Sequence, residues 1–348
     1  MPLYYEGGER INRFRGIDGA TGPEDWVGSV SAVRPAILPA GADPTTGISR
    51  LEDGTNLRDA IAADATGWLG PDLAAEFGDE PGLLVKLLDA GGRLPVHCHP
   101  SRALAREKLG SRFGKTEGWV IMEAEPDAAI WLGFNRDVEP AELRGWVDRQ
   151  DVDAMFAAMH RMEARAGDVF YVPAGVPHSI GAGIMLAELQ EPTSFSICAE
   201  YEAYGLNEAQ ATLKLGWDDA LPCFDLRAYS GERLQLLRPR PEAMPVAGDA
   251  ELWRLFPAEA DPFFQAFRAR VTGSSDLGEA RFRILVIASG EGSLATDSAT
   301  VPLHAGETWL VPHGAGRLRA DGDVELLICD PPQVARVGQT GLATLPSP

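Results

Sequence analysis

The chain of 348 residues has few cysteines and a deficit of basic residues. Its cysteines, Cys98, Cys198, Cys223 and Cys329, show no CxxC spacing, which argues against a disulfide framework. We therefore expect reduced thiols and a cytoplasmic location. Lys and Arg number 31 against 51 Asp and Glu, which gives a formal charge of −20. Such a surface repels nucleic acid and anionic membranes, so neither is an expected partner.

Long apolar runs are missing as well. The first residues, MPLYYEGGERINRFRG, contain no apolar segment typical of a signal peptide, and no run approaches the ~18 residues of a membrane span. The remaining composition, 45% hydrophobic and 24% charged, is typical of a globular protein. The length allows two domains with sizeable cores.

Short β-type runs separated by turns dominate the chain from residue 83 onward, for example LLVKLLDA, GWVIMEAE and DVFYVPA. Helical patterns are predicted over 55–77 and in an acidic insertion at about 138–160. The segment 238–250, rich in Pro and Ala, is expected to be a linker. We predict a mainly β protein with a helical insertion in its N-terminal half.

The pattern G-x5-P-x-G-x2-X occurs twice. The first copy begins at Gly167 and ends at His178, and the second begins at Gly306 and ends at Arg317. Its Pro and Gly fix a tight turn between two strands of a barrel. Two copies predict two similar β-barrels, which we place at 1–240 and 241–348. Because Arg317 stays protonated and cannot ligate a metal, we expect the second barrel to be degenerate.

Three histidines and a glutamate form the candidate metal site. His97 and His99 lie two residues apart on a predicted strand, so alternation places both on one face. Glu117 begins the next strand, and His178 follows the Pro-Gly turn. Three imidazoles and one carboxylate suit zinc, manganese, iron, cobalt or nickel without choosing among them.

The surrounding motifs resemble a known family. The spacing G-x5-H-x-H from Gly91, together with the first repeat copy, matches the two halves of the cupin motif. The run GKTE at 114–117 and the segment VPAGVPHSIGAGIMLAELQ resemble the type I phosphomannose isomerases of the cupin superfamily. The resemblance covers nearly the whole chain. It implies two jelly-roll barrels, a zinc ion on the four residues of the candidate metal site, and a Gln at the position of His97.

The same resemblance implies an aldose–ketose isomerase, which moves a proton between C1 and C2 through an enediol. Glu188, ten residues after the last histidine, is then the candidate proton carrier. Lys115 matches a lysine that contacts the substrate, although an ion pair that orients Glu117 is the alternative. Cys198 and Glu191 are further candidate substrate contacts.

Two positions depart from the family pattern. Cys198 stands where the family has an active-site arginine, and Pro95 where it has a serine associated with phosphate binding. Mannose 6-phosphate is the substrate that the resemblance implies, and an unphosphorylated mannose, lyxose or ribose is the alternative. A phosphate would need compensating basic residues, for which the candidates are Arg93, Arg102, Arg106 and Lys108.

Two other classes stay open, a cupin oxygenase and a sugar-binding protein without catalysis. Three histidines and a glutamate also suit iron or manganese chemistry with dioxygen, and the missing arginine is consistent with lost catalysis. No oligomeric state is predicted.

Overall fold

The β-type runs form antiparallel sheets in a computed structural model that describes residues 5–19, 22–35, 38 and 41–334. The strands are β1 (Glu24–Val27), β2 (Leu84–Ala90), β3 (His97–Cys98), β4 (Glu117–Ala124), β5 (Ala129–Phe134), β6 (Met159–Glu163), β7 (Val169–Val172), β8 (His178–Ile180), β9 (Ile184–Gln190), β10 (Ile197–Cys198), β11 (Glu242–Met244), β12 (Ala247–Arg254), β13 (Gln265–Gly278), β14 (Arg283–Ala295), β15 (Thr300–His304), β16 (Thr308–Val311) and β17 (Leu318–Asp330). The α-helices are α1 (Arg10–Arg15), α2 (Leu57–Ala63), α3 (Ala65–Leu69), α4 (Pro71–Phe77), α5 (Arg102–Lys108), α6 (Pro140–Arg149), α7 (Val152–Ala157), α8 (Glu208–Ala211), α9 (Trp217–Ala220) and α10 (Gly231–Leu237). The predicted mainly β fold is confirmed.

The first sheet has the strand order β1-β2-β9-β4-β7, and its central strands are buried on both faces. This burial explains why β2 and β9 are apolar along most of their length instead of alternating. On one face, Leu87 and Leu189 pack against the C-terminal part of the chain. On the other face, Leu88 and Leu186 point towards the second sheet.

The second sheet has the strand order β10-β3-β8-β5-β6. Ile130, Leu132 and Ile180 of this sheet share one apolar cluster with Leu88 and Trp119 of the first sheet. The two sheets therefore pack face to face around a closed interior. Strands β3, β4 and β8, which carry the predicted metal ligands, border this interior.

Both stretches predicted to be helical contain helices, whereas α1, α5 and α10 were not predicted. The stretch at 55–77 is divided into α2, α3 and α4, and Gly70, with a φ of +85°, separates α3 from α4. Pro71 then takes the first position of α4, where its missing N–H has no intrahelical partner to lose. The insertion at 138–160 contains α6 and α7, whose Leu143, Trp146 and Met155 are buried in an apolar cluster with β3 and β10.

The third sheet has the order β11-β12-β13-β17-β14-β15, with β16 paired to β14. The prediction of a linker over 238–250 is wrong for most of its length, because β11 and the start of β12 form a hairpin. Strand β12 in turn pairs with β13. Strand formation at such a segment depends on a partner that is distant in the sequence, so local composition does not reveal it.

An apolar core joins the N-terminal and C-terminal parts of the chain. Phe256, Phe264 and Ile284 pack in the same cluster as Leu87. Gly118 in β4 belongs to this contact, because a Cβ there would lie only 2.6 Å from the Phe256 ring. The division into two barrels at 240/241 stays a prediction. Among the described residues, no helix has both the length and the apolar composition needed to cross a bilayer.

Candidate metal centre

The four predicted metal ligands meet at one end of the interior between the first and second sheets. His97 on β3 lies directly opposite His178 on β8. His99 follows β3 by one residue, so alternation places it on the same side as His97. Glu117 is the first residue of β4. Residues 81 positions apart in the sequence are thus brought to one place by strand pairing.

The turn before His178 is tied to the strand that carries the other histidines. Gly175 has a φ of +88°, a conformation that favours glycine, and its N–H donates to the carbonyl oxygen of His99 at 2.8 Å. A Cβ at this position would lie 2.9 Å from the Cys223 carbonyl oxygen. The Pro-Gly turn therefore positions His178 relative to His99.

The three imidazoles are packed against one another. Their ring centroids lie 4.9 Å apart for His97 and His99, 4.1 Å for His97 and His178, and 4.8 Å for His99 and His178. One donor atom from each ring lies within 4.8 Å of the others, and all three residues are buried. Within the described ranges, this is the one group of histidine, cysteine and carboxylate side chains with the spacing of a metal site.

Each imidazole directs its Nδ1 to a backbone carbonyl. The acceptors for His97, His99 and His178 are the oxygens of Pro95, Phe195 and Val176, at 2.8, 2.7 and 2.8 Å. Because a carbonyl only accepts, each Nδ1 carries the hydrogen and each Nε2 keeps its lone pair. Metal-bound histidines are held in this way, with the second nitrogen free to ligate.

Electrostatics keep these donors in the state that a metal requires. Burial lowers the pKa of His99 and His178 to about 3, and it lowers the pKa of His97 well below its usual value. Burial alone would raise the pKa of Glu117, but His99 and Lys115 outweigh it and hold that pKa well below its usual value. Three neutral imidazoles and an ionised carboxylate therefore face one another at pH 7.

The short distance between His99 and Glu117 is favourable only beside a cation, because the two atoms in contact are both acceptors. His99 Nε2 and Glu117 Oε1 are both acceptors, and they lie 3.0 Å apart. Lys115 Nζ adjoins both atoms, at 3.3 Å from Nε2 and 2.7 Å from Oε1. Glu117 Oε2 lies 3.8 Å from Nε2 of His178. The donor set fits a divalent ion, for which zinc, manganese, iron, cobalt and nickel are the candidates, and Glu117 as the fourth ligand stays a prediction.

Glu191 holds the segment that carries Lys115 and Glu117. It is fully buried, its Oε1 accepts from Arg102 Nε at 2.5 Å, and its Oε2 accepts from the Thr116 N–H at 3.0 Å. These bonds give Glu191 a positioning role at the metal centre. The contact with substrate that the sequence predicted for it stays a prediction.

A row of large and charged side chains crosses the first sheet beside the metal centre. Trp26, Lys86, Glu188 and Trp119 are opposite one another in register on β1, β2, β9 and β4. Residues directly opposite in antiparallel strands share a face, so this row lines the interior. The Trp119 ring lies 5.3 Å from the His178 ring, which places the row next to the imidazoles.

Glu188 is a buried carboxyl with an unusual protonation equilibrium. Its Oε1 lies 3.3 Å from Lys86 Nζ. Burial and the charge of Glu117 raise the pKa of Glu188 to about 7, although Lys86 opposes the shift. A carboxyl with this pKa is suited to exchange a proton near neutrality. The structure therefore places the predicted proton carrier beside the metal centre, while its catalytic role stays a prediction.

Lys86 was missed by reasoning from the sequence, although a signal was present. It is the single basic residue in the apolar run LLVKLLDA, and this strand is buried along its whole length. A buried lysine needs a charged partner, so its presence in such a strand indicates carboxylates nearby.

Several buried polar atoms around this row have no hydrogen-bond partner among the described residues. They are His178 Nε2, Trp119 Nε1 and Gln190 Oε1, whereas Glu188 Oε1 is held by its ion pair with Lys86 at 3.3 Å. An unsatisfied buried polar atom costs about 1–3 kcal/mol, so such atoms on adjacent strands indicate a place where a polar ligand binds. Gln190 lies directly opposite Glu117, which puts this place at the metal centre.

Cys198 lies opposite His97 in the register of β10 and β3. It is buried, and it packs in an apolar cluster with Cys98 and Cys223. None of the four cysteines forms a disulfide, in agreement with the expected reduced thiols. The structure thus surrounds Cys198 with apolar neighbours, and its contact with substrate stays a prediction.

The basic residues proposed to compensate for the missing arginine are mostly paired. Arg93 binds both carboxylate oxygens of Glu200, at 2.6 and 2.7 Å. Arg102 is paired with Glu191, and Lys108 is paired with Asp219 on the surface. Arg106 is exposed on α5.

No family model matches the chain. The chain is 28% identical to mannose-6-phosphate isomerase ManA of Bacillus subtilis over 254 residues, which are 72% of this chain and 75% of the relative. It is also 28% identical to the mannose-6-phosphate isomerase of Streptococcus mutans over 246 residues, 70% of this chain and 72% of the relative. The crystal structure of the B. subtilis mannose 6-phosphate isomerase superposes with a TM-score of 0.72 at 20% identity, covering 94% of this chain and 96% of that one. The chain is thus similar in sequence to mannose-6-phosphate isomerases, and it shares the fold of the B. subtilis structure.

Proposed function

We propose that the chain is a zinc-dependent isomerase that interconverts an aldose and its ketose, with mannose 6-phosphate as the first substrate candidate. The observation that carries this proposal is a buried group of three imidazoles beside the buried carboxyl of Glu188 and the unsatisfied polar atoms of Trp119 and Gln190. The relatives are named mannose-6-phosphate isomerases, which supports this reaction class and this sugar phosphate.

The chemistry divides between the ion and the chain's own side chains. When bound, a divalent ion supplies the positive charge that stabilises the oxyanion developing at O1 or O2 of the sugar. His97, His99 and His178 would hold it through Nε2, with Glu117 as the fourth ligand. Glu188 removes the proton from C2 and returns it to C1. Burial raises its pKa towards neutrality, which suits a group that both accepts and releases a proton.

The remaining residues of the centre orient the reacting groups. Lys115 donates to Glu117 Oε1 and thereby orients this carboxylate beside the three imidazoles. The Trp119 N–H and the Gln190 carbonyl oxygen are a donor and an acceptor available to sugar hydroxyls. Lys86 stabilises the ionised form of Glu188, which is present before the proton is taken from C2 and after it is returned to C1.

The direct test is conversion of mannose 6-phosphate by metal-loaded protein, followed by ¹³C NMR. We expect fructose 6-phosphate to appear with the zinc-loaded protein and not after removal of zinc with a chelator. The proposal fails if protein loaded with zinc, manganese or cobalt interconverts no aldose with its ketose, phosphorylated or free. Oxygen uptake by the iron-loaded protein would instead indicate the oxygenase alternative.

A second candidate substrate is an unphosphorylated aldose, and the pairing of the cations favours it. A phosphate group carries nearly two negative charges at pH 7 and needs cations that are not already neutralised. Around the metal centre, each of the following cations has a carboxylate within 3.5 Å: Lys86, Arg93, Arg102 and Lys115.

The ratio of kcat/KM for mannose 6-phosphate to that for mannose separates the two candidates. We expect a phosphate preference to depend on Arg102 leaving Glu191, since Arg102 is half-buried at the centre. Arg102→Ala would then abolish the preference, whereas Arg106→Ala, four residues along the same helix, would not. A preference for free mannose in the unmodified protein would establish the second candidate.

A further inference from the structure

Lys86 is shared between two carboxylates in the interior of the first sheet. Its Nζ lies 3.3 Å from Glu188 Oε1 and 3.4 Å from Glu24 Oε2. The side chains of all three residues are less than one tenth exposed. Glu24 and Trp26 lie on β1, two residues apart, so they share the face on which Trp26 lies opposite Lys86. No sequence motif indicates a role for Glu24.

The two carboxylates have different environments. Glu24 accepts a hydrogen bond from the Tyr5 hydroxyl at 2.6 Å and another from Trp26 Nε1 at 2.6 Å. Glu188 Oε1, in contrast, has Lys86 Nζ at 3.3 Å but accepts no hydrogen bond from a neutral donor among the described residues. Hydrogen bonds donated to a carboxylate favour its ionised form. The hydrogen bonds of Glu24 therefore stabilise its ionised form, whereas Glu188 lacks this stabilisation.

We propose that Glu24 is a positioning residue, which serves as the permanent counter-ion of Lys86 and thereby leaves Glu188 free to carry the proton. The inference rests on the proposed function for the part that Glu188 plays in catalysis. If Lys86 had Glu188 as its nearest carboxylate without a competitor, their ion pair would hold Glu188 in the ionised state. Because Glu24 is a second, permanently ionised carboxylate at the same ammonium, it weakens the preference of Glu188 for the ionised form.

The protonation equilibria agree with this geometry. Burial alone would raise the pKa of Glu24, but Lys86 and the hydrogen bonds from Tyr5 and Trp26 outweigh it and lower that pKa. Burial would lower the pKa of Lys86, but Glu188 and Glu24 outweigh it and raise that pKa. Two carboxyls at one ammonium thus have pKa values displaced in opposite directions, which is the pattern of a division of roles.

The charged groups that face Glu188 are known from each neighbouring strand. Lys86 faces it from β2 and Glu24 from β1, while Lys115 and Glu117 face it from the start of β4. Glu24 and Glu117 raise the pKa of Glu188, and the two lysines lower it. Neutralising Glu24 alone must therefore lower the pKa of Glu188, which fixes the sign of the expected effect.

Glu24→Gln in the zinc-loaded full chain tests the proposal. The amide keeps both contacts of the carboxylate, because the tyrosine hydroxyl also accepts and the amide oxygen still accepts from Trp26. We expect the midpoint of the Glu188 titration to move to lower pH by about one unit. The pH titration is followed through the infrared band of protonated carboxyl groups. The contribution of Glu188 is the part of this band that is absent from Glu188→Gln.

Kinetics with the sugar that the unmodified protein isomerises give a second readout. In Glu24→Gln, kcat falls by about threefold to tenfold because Glu188 becomes a weaker base, while KM and zinc content stay unchanged. The low-pH limb of the kcat profile moves in the same direction as the infrared titration. Glu24→Asp restores the charge and returns the limb towards its original position. Tyr5→Phe removes one hydrogen bond without a charge and moves it less than Glu24→Gln.

The two hypotheses fail in different ways. An unchanged infrared midpoint of Glu188 in Glu24→Gln overturns the role of Glu24, whatever the activity of the protein. A shifted midpoint in a protein that isomerises no sugar supports the ion-pair arrangement and overturns the proposed function instead. If Glu24→Gln does not fold, Glu24→Asp and Tyr5→Phe are compared, and identical midpoints in both and in the unmodified protein overturn the proposal.

Discussion

The two copies of the repeated turn have different surroundings. The first copy ends in His178, which is buried and directly opposite His97. The second ends in Arg317, whose side chain is 57% exposed and whose Nη2 lies 2.5 Å from Asp276 Oδ2 on the surface. The local pattern produces a turn between strands in both places. A candidate metal site forms only at the first copy, because its last residue, His178, points into an interior that contains other polar side chains.

The neighbouring strands extend this contrast. Ten residues after His178 the chain places the buried carboxyl of Glu188, and ten residues after Arg317 it places the apolar side chain of Leu327. Leu327 packs in the apolar core that joins the two parts of the chain. The C-terminal part thus uses the corresponding strand for packing, whereas the N-terminal part uses it for a charged site.

The largest effect is expected from removing the carboxyl of Glu188, because the corresponding residue of the C-terminal part, Leu327, has no carboxyl. Glu188→Gln should lower kcat by about 10³-fold, because general base catalysis contributes roughly 10²- to 10⁴-fold. The zinc content, measured by atomic absorption, should not change. Glu325→Gln in β17 removes a half-buried carboxylate of the other region and should leave kcat unchanged. Retained turnover in Glu188→Gln would exclude Glu188 as the proton carrier.

The second largest effect is expected from the terminal residues of the two repeat copies. His178→Ala should weaken zinc binding by at least about 100-fold, since even outer partners of a metal contribute about 10- to 100-fold. Arg317→Ala should not change it, because Arg317 contacts Asp276 at the surface. Competition with a chromogenic chelator measures both affinities. Equal zinc affinity in His178→Ala and the unmodified protein would contradict the three-histidine site.

The titration of Glu188 gives a smaller, continuous effect. In metal-free protein the carboxyl should lose its proton with a midpoint of about 7, and a bound dication should lower the midpoint. Since the ionised form is the base, kcat should fall by about tenfold per pH unit below the midpoint of the zinc-loaded protein. Burial also raises the pKa of Glu80 to about 7, so Glu80→Gln is the control spectrum for the infrared titration. A rate that rises as the pH falls through this range would contradict the role of Glu188 as a base.

The smallest effect concerns the glycine shared by both turns. Gly175→Ala should lower the free energy of unfolding by about 1–2 kcal/mol, because alanine is strained at a φ of +88°. It should also weaken zinc binding, since the Gly175 N–H contacts His99. Gly314→Ala, whose Cβ would lie 3.0 Å from the Gly67 carbonyl oxygen, should cost less and leave zinc binding intact. Denaturant unfolding and chelator competition distinguish the two; equal effects on zinc affinity would show that the turns are interchangeable.

Several parts of the site could be predicted from short patterns. The two-residue spacing of His97 and His99 and the turn before His178 depend on alternation and on glycine conformation, which are local properties. The position of Glu117 at the start of β4 follows from the same reasoning. Helices at 55–77 and 138–160 are recognisable because their apolar periodicity is local.

Other parts could not be predicted because they depend on distant pairings. Glu24 and Lys86 approach each other through the pairing of β1 with β2, and Lys86 reaches Glu188 through the pairing of β2 with β9. The hairpin of β11 and β12 could not be predicted for the same reason. The carboxylate partners of Arg93 and Arg102 likewise lie far away in the sequence.

The sequence by itself determined the residue types that can ligate a metal, the turns that deliver them and the mainly β character of the chain. Only the tertiary structure decided which carboxyl titrates near neutrality and which remains a counter-ion. Protonation depends on burial and on charges within a few ångströms, and these are set by the register of strands far apart in the chain. Glu24 and Glu188 have the same side chain, and their different neighbours give them different roles.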